Sequence, residues 1–239
     1  MGKVITYNNR VLDFNNSTSV NPLWVDLISY YKADNTSNDA LGNNNGTLTN
    51  GTTFGTGIIN QGFSFDGVND FVNMGDTLDF DGSTPFSISM WVYIDGGGVQ
   101  MLVSKQSTAS SKVGYSIFYY NGRFDCILAN NRSSNNIYVR AGTTTPLSDT
   151  WYNIVLTYDG SKNASGMSFN INSVDEVVIV EDNLTGSISN SIDFNIGARN
   201  SATQYTNGII DEVGIWDRVL TSTEITELYN SGVGKQYPN

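Results

Sequence analysis

The 239-residue chain contains no histidine, and this removes a group of mechanisms before any motif is considered. Serine–histidine and cysteine–histidine triads, histidine general bases and histidine-ligated zinc are all excluded. Cysteine is nearly absent: Cys126 stands alone, so neither an internal disulfide nor a thiolate metal cage can form. It lies in Phe124-Asp125-Cys126-Ile127-Leu128, whose apolar content predicts a buried, structural thiol. Charge is also sparse, with Asp, Glu, Lys and Arg making up 15% of the residues and a net charge of -11 that leaves only 12 cations. Phosphate neutralisation needs clustered Lys and Arg, so no nucleic-acid partner is expected. No run approaches the ~18 apolar residues that span a bilayer, and the opening Met1 to Tyr7 lacks the apolar stretch of a secretory signal. A soluble chain without membrane insertion or a visible export signal is expected.

What remains is Asn, Gly, Ser and Thr filling the spaces between aromatic and β-branched runs, a composition that suits many short strands with polar loops. The fold class expected is all-β: a two-sheet antiparallel sandwich with one short C-terminal helix and an N-terminal β-forming arm. Residues 1–22 read as a docking arm and linker, with strand-like pieces Val4-Ile5-Thr6-Tyr7 and Arg10-Val11-Leu12-Asp13-Phe14 around Asn8-Asn9; residues 23–239 read as one domain. Val4, Ile5, Tyr7, Val11, Leu12 and Phe14 are the arm's candidate contacts. Strands are expected at 27–31, 62–66, 70–74, 86–94, 100–105, 114–120, 123–129, 136–140, 151–158, 166–172, 176–180, 192–198 and 209–217. Asn121-Gly122 marks a hairpin, because both positions tolerate the positive φ of a type I′ turn. Phe86, Ile88, Met90, Val92 and Ile94 alternate with Ser87, Ser89, Trp91 and Tyr93, as in a central strand with one face toward the core. The only convincing helix starts at Thr221, whose hydroxyl can cap it while Glu224 reaches back, and ends at Gly232.

Several segments in order resemble one family. They are Asp39-Ala40-Leu41-Gly42-Asn43-Asn44-Asn45, Phe63-Ser64-Phe65-Asp66-Gly67, Ser87-Ile88-Ser89-Met90-Trp91-Val92, the strand Trp151 to Gly160, and Gly208 to Leu220. Together these resemble the laminin-G-like, concanavalin A-type (pentraxin-like) jelly rolls from about residue 27 to 232. The resemblance implies a jelly-roll fold, which binds carbohydrate or other surfaces more often than it catalyses. It departs at Asn172-Ser173, where the family often has Asn-Gly, which leaves the turn type open. It also implies a possible structural calcium held by Asp39, Asn43, Asn45 and Asp211, since an Asn- and Gly-rich loop supplies the oxygen donors calcium takes. The alternative is that Asp39 and Asn45 make turn hydrogen bonds while Asp211 accepts backbone donors.

Catalytic relatives with this fold cleave polysaccharides with two carboxylates in a Glu-x-Asp-x-x-Glu arrangement, which this chain lacks. Asp175-Glu176 and Glu181-Asp182 are adjacent, so their side chains point to opposite faces of a strand. No enzyme is expected. Sugar binding needs an aromatic platform and nearby polar groups for hydroxyls. Tyr119, Tyr120, Arg123, Asn130, Asn131 and Arg132 gather around one hairpin, and Arg199, Asn200 and Tyr205 form a second group; packing at sheet edges is the competing explanation.

Two functional readings follow. In the first, a bacteriophage virion surface protein displays the lectin-like domain as a decoration, fibre or adsorption module, with the arm adding strands to other virion proteins and the domain binding glycans. The opening Lys3 to Leu12 also resembles openings of phage structural proteins. In the second, a secreted bacterial carbohydrate-binding module or adhesin acts outside the cell. A polysaccharide-degrading enzyme is the third reading, to be revived by a groove holding two carboxylates.

Overall fold

The computed structural model describes residues 4–7, 10–13, 21–200 and 203–238. The arm carries β1 (Val4–Tyr7) and β2 (Arg10–Asp13), paired antiparallel as a separate two-stranded sheet. Phe14 and the side chains of Val4, Ile5, Tyr7, Val11 and Leu12 lie outside the described residues. The body opens with a 3-10 turn at Pro22–Trp24 whose Leu23 N–H is held by the Asn21 side chain at 2.9 Å. Asn21 also donates to Glu227 at 2.6 Å, so the structured body takes in the last residues of the expected linker.

The strands of the body are β3 (Leu27–Tyr31), β4 (Thr47–Thr49), β5 (Thr53–Thr56), β6 (Gln61–Asp66), β7 (Phe71–Asn73) and β8 (Phe86–Ile94). Then come β9 (Val99–Gln106), β10 (Gly114–Tyr120), β11 (Phe124–Asn131), β12 (Asn135–Ala141) and β13 (Trp151–Tyr158). The last are β14 (Met167–Ile171), β15 (Val174–Asp175), β16 (Val177–Asp182), β17 (Asn195–Ile196) and β18 (Asn207–Trp216), followed by helix α1 (Ser222–Tyr229). Two antiparallel eight-stranded sheets result. The first runs β15-β14-β13-β8-β18-β6-β5 with β3 also on β18, and the second runs β16-β12-β11-β10-β9-β17-β7-β4. This is the expected jelly-roll sandwich. Three short strands, β4, β5 and β15, were not expected, and the strand expected at 192–198 shortens to β17, because residues on both sides turn to reach β7 and β9.

Alternation places the core. Phe86, Ile88, Met90, Val92 and Ile94 of the first sheet meet Val103, Tyr115, Ile117, Phe124, Cys126, Leu128, Ile137 and Val139 of the second. Cys126 is fully buried, as its apolar run predicts, and burial pushes its thiol pKa up. The outward face of the first sheet is covered as well: Leu23, Trp24, Leu27, Tyr30, Val155 and Trp216 form a second apolar cluster with Leu220, Ile225 and Leu228 of the C-terminal segment. Helix α1 docks there because Ile225 and Leu228 share one face. Its start is the expected capping box of Thr221 and Glu224, while its end falls earlier than Gly232, at Tyr229, with Asn230 taking the left-handed cap. Among the described residues no α-helix lies on the second sheet, whose outward side leaves Phe118, Tyr120, Arg123, Arg132 and Arg140 half-exposed.

Candidate functional site

The second sheet presents β9 to β12 side by side, with their outward residues in register. Ser104 lies opposite Ser116, Ser116 opposite Ile127, and Ile127 opposite Tyr138. The next row carries Met101, Phe118, Asp125 and Arg140. Ile127, Ala129 and Tyr138 form a small apolar cluster with Phe118, separate from the main core. The Phe118 and Tyr138 rings lie nearly parallel, 14° apart with centroids at 6.4 Å. Two guanidiniums sit on aromatic rings here: Arg132 over Tyr138 at 4.7 Å and Arg123 over Tyr120 at 5.0 Å.

Carboxylates hold these cations in place. Arg123 pairs with the fully buried Asp125 at 3.1 Å, and the Tyr138 hydroxyl donates to the same carboxylate. Burial raises the Asp125 pKa, with the Tyr138 and Arg123 contacts opposing it. Arg132 pairs with Glu181 at 3.1 Å, while Asn136 donates to Glu181 at 2.8 Å and, with Arg132, lowers its pKa against the opposing effect of burial. The result is an aromatic and cationic surface fixed by charge-assisted bonds.

The sequence candidates divide on this frame. Tyr120, Arg123 and Arg132 reach the outward face. Tyr119 does not: alternation turns it inward, where it is 8% exposed and packs against Phe124 at 6.1 Å, so its ring is core. Asn130 donates to the Ser187 carbonyl at 2.7 Å, and the Asn131 side chain caps the turn at Ser133. Arg199 extends onto the outward face beside Met101, its Nη2 3.9 Å from the sulfur. Tyr205 points elsewhere, packing on Phe71 and lining a recess of about 410 Å³ with Gly96, Gly97 and Gly98, and Asn200 donates to Thr108. Phe118, Tyr138 and Glu181 were missed, although the alternation Asn136, Tyr138, Arg140 could have shown Tyr138 facing the same way as the hairpin's outward residues.

The residues named for calcium hold backbone instead. Asp39 is 4% exposed; Oδ1 accepts the N–H groups of Tyr30 and Leu41, and Oδ2 those of Asn43 and Asn44. Asn45 accepts the Asp39 N–H, and Asp211 accepts those of Ile59 and Glu212. With the lone-pair directions of Asp39 already used, this donor set does not fit a calcium ion; among the described residues no group of three or more His, Cys, Asp or Glu is arranged to hold a metal.

A larger cleft of about 910 Å³ lies between the opening segment of the body and the C-terminal tail, lined by Asn21, Trp24, Lys32, Asp34, Asn38, Asp39, Gln236 and Tyr237 among others. Its carboxylates are committed to anchoring. Asp39 is bound as above, and Asp34 accepts from Gln61, Asn60 and Gln236. Nearby, a bulge in β18 between Asp211 and Gly214 turns two adjacent carboxylates inward, with Glu212 at φ +52. Burial raises Asp211 to about 8, with the neighbouring Glu212 adding to it, and burial raises Glu212 to about 7. Both are at most 3% exposed and neither lines the cleft. The adjacent pairs considered from sequence are anchors too: Asp175 and Glu176 accept from Phe169, Val177, Thr143 and Thr144, and Asp182 from Ala164.

Comparison with known proteins agrees with the fold. Residues 66–226 match the family model of the concanavalin A-like lectin/glucanases superfamily, and the chain belongs to that family. Among solved structures it is similar to the binding domain of Paraclostridial Mosquitocidal Protein 1, at 20% identity and a TM-score of 0.68, covering 87% of this chain and 53% of that one. The chain thus spans about half the length of that binding domain. It is also similar to domain 4 of AbnA, an extracellular GH43 arabinanase from Geobacillus stearothermophilus in complex with arabinotriose (18% identity, TM-score 0.57, 84% of this chain and 97% of that one). A third likeness is a Trypanosoma rangeli sialidase mutant with trans-sialidase activity, at 16% identity and a TM-score of 0.63, covering 89% of this chain and 34% of that one. No curated protein sequence matches the chain. No helix among the described residues is long and apolar enough to cross a membrane.

Proposed function

We propose that this chain is a non-catalytic carbohydrate-binding module whose outward second-sheet face meets the glycan. The observation that carries the reading is the array of Tyr120, Phe118 and Tyr138 with Arg123 and Arg132, of which Tyr120, Phe118 and both arginines are half-exposed on the outward side of the second sheet. Aromatic rings suit the apolar side of a pyranose, and guanidinium N–H groups suit its hydroxyls. The non-catalytic part rests on the carboxylates, each of those described above being bound to backbone donors, an Arg or a buried partner. Family membership and the likeness to a domain that holds arabinotriose support the same reading. A glycan array should show binding that Tyr120→Ala abolishes. Unchanged binding in that variant would remove this face from the role.

In the finer reading the arm docks the module on a virion surface, as decoration, fibre or adsorption protein. Its support is the β1–β2 hairpin, whose backbone forms a sheet of its own rather than joining either sheet of the sandwich and so offers edges to a partner protein. The likeness to a domain of an extracellular arabinanase favours the alternative of a secreted carbohydrate-binding module. Deletion of residues 1–20 separates them: a display protein loses its place in the assembled particle while its body melts unchanged, whereas a secreted module keeps every function.

A further inference from the structure

Four strands end the two sheets, and one of them differs from the rest. At one end of the strand orders stand β4 and β5, three and four residues long, and at the other stand β15, with two residues, and β16, with six. β16 pairs with β12, and among the described residues no strand pairs with its other side. In an antiparallel ladder alternate residues turn their N–H and C=O groups away from the partner, so the far side of β16 offers backbone groups to another strand. Apolar surface gathers along the same border. Val174 of β15 and Val178, Ile179 and Val180 of β16 are 58%, 37%, 50% and 40% exposed, four of the nine large exposed apolar side chains among the described residues. Glu176 joins the two strands, its N–H donating to the Phe169 carbonyl of the first sheet and its own carbonyl accepting the Gly142 N–H beside the second. The register of β16 shifts only past Ile179: Val177, Val178 and Ile179 pair unbroken with Ala141, Arg140 and Val139.

The charges at the ends of this strand select its partner. Asp175 and Glu176 precede Val177, and Glu181 and Asp182 close the strand. Arg132 pairs with Glu181, but Asp175, Glu176 and Asp182 accept from backbone N–H groups and the Thr144 hydroxyl, neutral donors that leave the negative charge in place. Antiparallel pairing of β16 with the β16 of another copy would set Asp175 and Glu176 against Glu181 and Asp182, like charge on like. A strand carrying positive charge suits the edge better. The arm has this character, with Lys3 and Arg10 on either side of Val4-Ile5-Thr6-Tyr7 and Asp13 as its one acid, in a chain that has only 12 cations. The arm also lacks what the edge would give it. β1 and β2 form a sheet of two strands, which is marginal in water until a third strand or another layer joins it.

We propose that the β1–β2 hairpin of one copy of this chain adds to the free edge of β16 in a second copy, extending the second sheet and covering Val178, Ile179 and Val180. This deepens the reading of the arm as a docking element, rests on it, and names a second copy as the partner. The donating and accepting surfaces differ, so each copy can both give an arm and receive one. Such a head-to-tail contact closes into a ring or grows into a filament.

Sedimentation velocity over a range of concentrations tests this with three proteins: the intact chain, the chain without residues 1–20, and the intact-length Ile179→Lys chain. The intact chain should associate beyond a pair as concentration rises. Ile179→Lys sets a cation against Lys3 and Arg10 at a position that is 50% exposed, so the body should keep its Tm while association weakens by about tenfold or more. Val178→Lys is the second variant if that Tm falls. Deletion of the arm should weaken association equally. Mixing the shortened chain with the Ile179→Lys chain should then restore a one-to-one pair, because one still offers an edge and the other still offers an arm. An arm that folds back on its own β16 gives no pair in this mixture and overturns the proposal. Association that survives the deletion but not Ile179→Lys would mean that β16 pairs with β16, and it overturns the arm as occupant. Association lost with the arm but untouched by both Lys variants sinks the β16 assignment and leaves the docking arm standing. An intact chain that stays single at every concentration sinks the second copy as partner, while loss of the arm-deleted chain from an assembled particle would still uphold docking on another protein.

Discussion

A carboxylate that accepts from several N–H groups holds a loop as a metal ion would, but without the ion. Asp39 gathers the amides of Tyr30, Leu41, Asn43 and Asn44, so the strand β3 and the turn after it are tied through one side chain. Replacing it by Ala strands four donors in a site that is 4% exposed, and each unsatisfied buried donor costs about 1–3 kcal/mol. Asp39→Ala is therefore expected to lower Tm severely or abolish folding, and Asp39→Asn to cost less because one oxygen survives. If the loop is held in this way alone, EDTA leaves the Tm of the native chain unchanged. A fall in Tm with EDTA, reversed by calcium, would return the ion to this loop.

At the scale of elements, helix α1 has its start written in four residues. The Thr221 side chain accepts the Glu224 N–H at 3.3 Å, and Glu224 accepts the Thr221 N–H at 2.8 Å. Thr221→Ala should cost about 1 kcal/mol, read as a shift in denaturant midpoint without a change of slope. Features of this kind were legible in the sequence because they are local: the capping box, the Asn121-Gly122 turn with both φ values positive, and the alternation along β8. The turn between β14 and β15 shows the limit. Asn172 and Ser173 stand at φ +52 and +64, so the two-residue left-handed turn persists without the glycine that signals it. Ser173→Gly should relieve about 1 kcal/mol of that strain and raise Tm by roughly 2–4 °C in a chain of this size. The strands β4 and β5 were illegible for a different reason. At three and four residues, Thr47-Leu48-Thr49 and Thr53-Phe54-Gly55-Thr56 are too short to show a period, and they form because β7 and β6 offer edges to them while Leu48 and Phe54 pack on the core. The candidate face was half legible: the hairpin named Tyr120, Arg123 and Arg132. The pairing that brings Tyr138 and Glu181 to them joins strands whose register no local pattern sets.

The whole molecule responds to pH through the bulge of β18. Burial, and for Asp211 also the charge of Glu212, raise Asp211 to about 8 and Glu212 to about 7 from ordinary values of 3.8 and 4.5. Between the ordinary and raised values the folded chain holds protons that the unfolded chain has released, so stability falls as pH rises. These carboxylates therefore oppose folding increasingly from about pH 4 upward, and fully once pH passes the folded values. Glu176, Glu181 and Glu224 act in the opposite sense: hydrogen bonds, and for Glu181 and Glu224 Arg charges, lower each of them, so their contribution is lost only as pH falls through their lowered values. They are more exposed than the β18 pair, so screening leaves them the smaller share. Tm is therefore expected to peak near pH 5 and to decline toward pH 8.5, a direction unusual for an acidic protein rich in carboxylates. Asp211→Asn and Glu212→Gln should each flatten the decline, because neither amide titrates; Asn keeps an oxygen for the Ile59 N–H, and Gln keeps one for Gln236 while its NH2 faces the Tyr30 hydroxyl, which can donate to the Lys235 carbonyl instead. A Tm that climbs from pH 5 to pH 8 in the native chain, or a decline left intact in both variants, would mean that the β18 pair is not buried as the bulge places it.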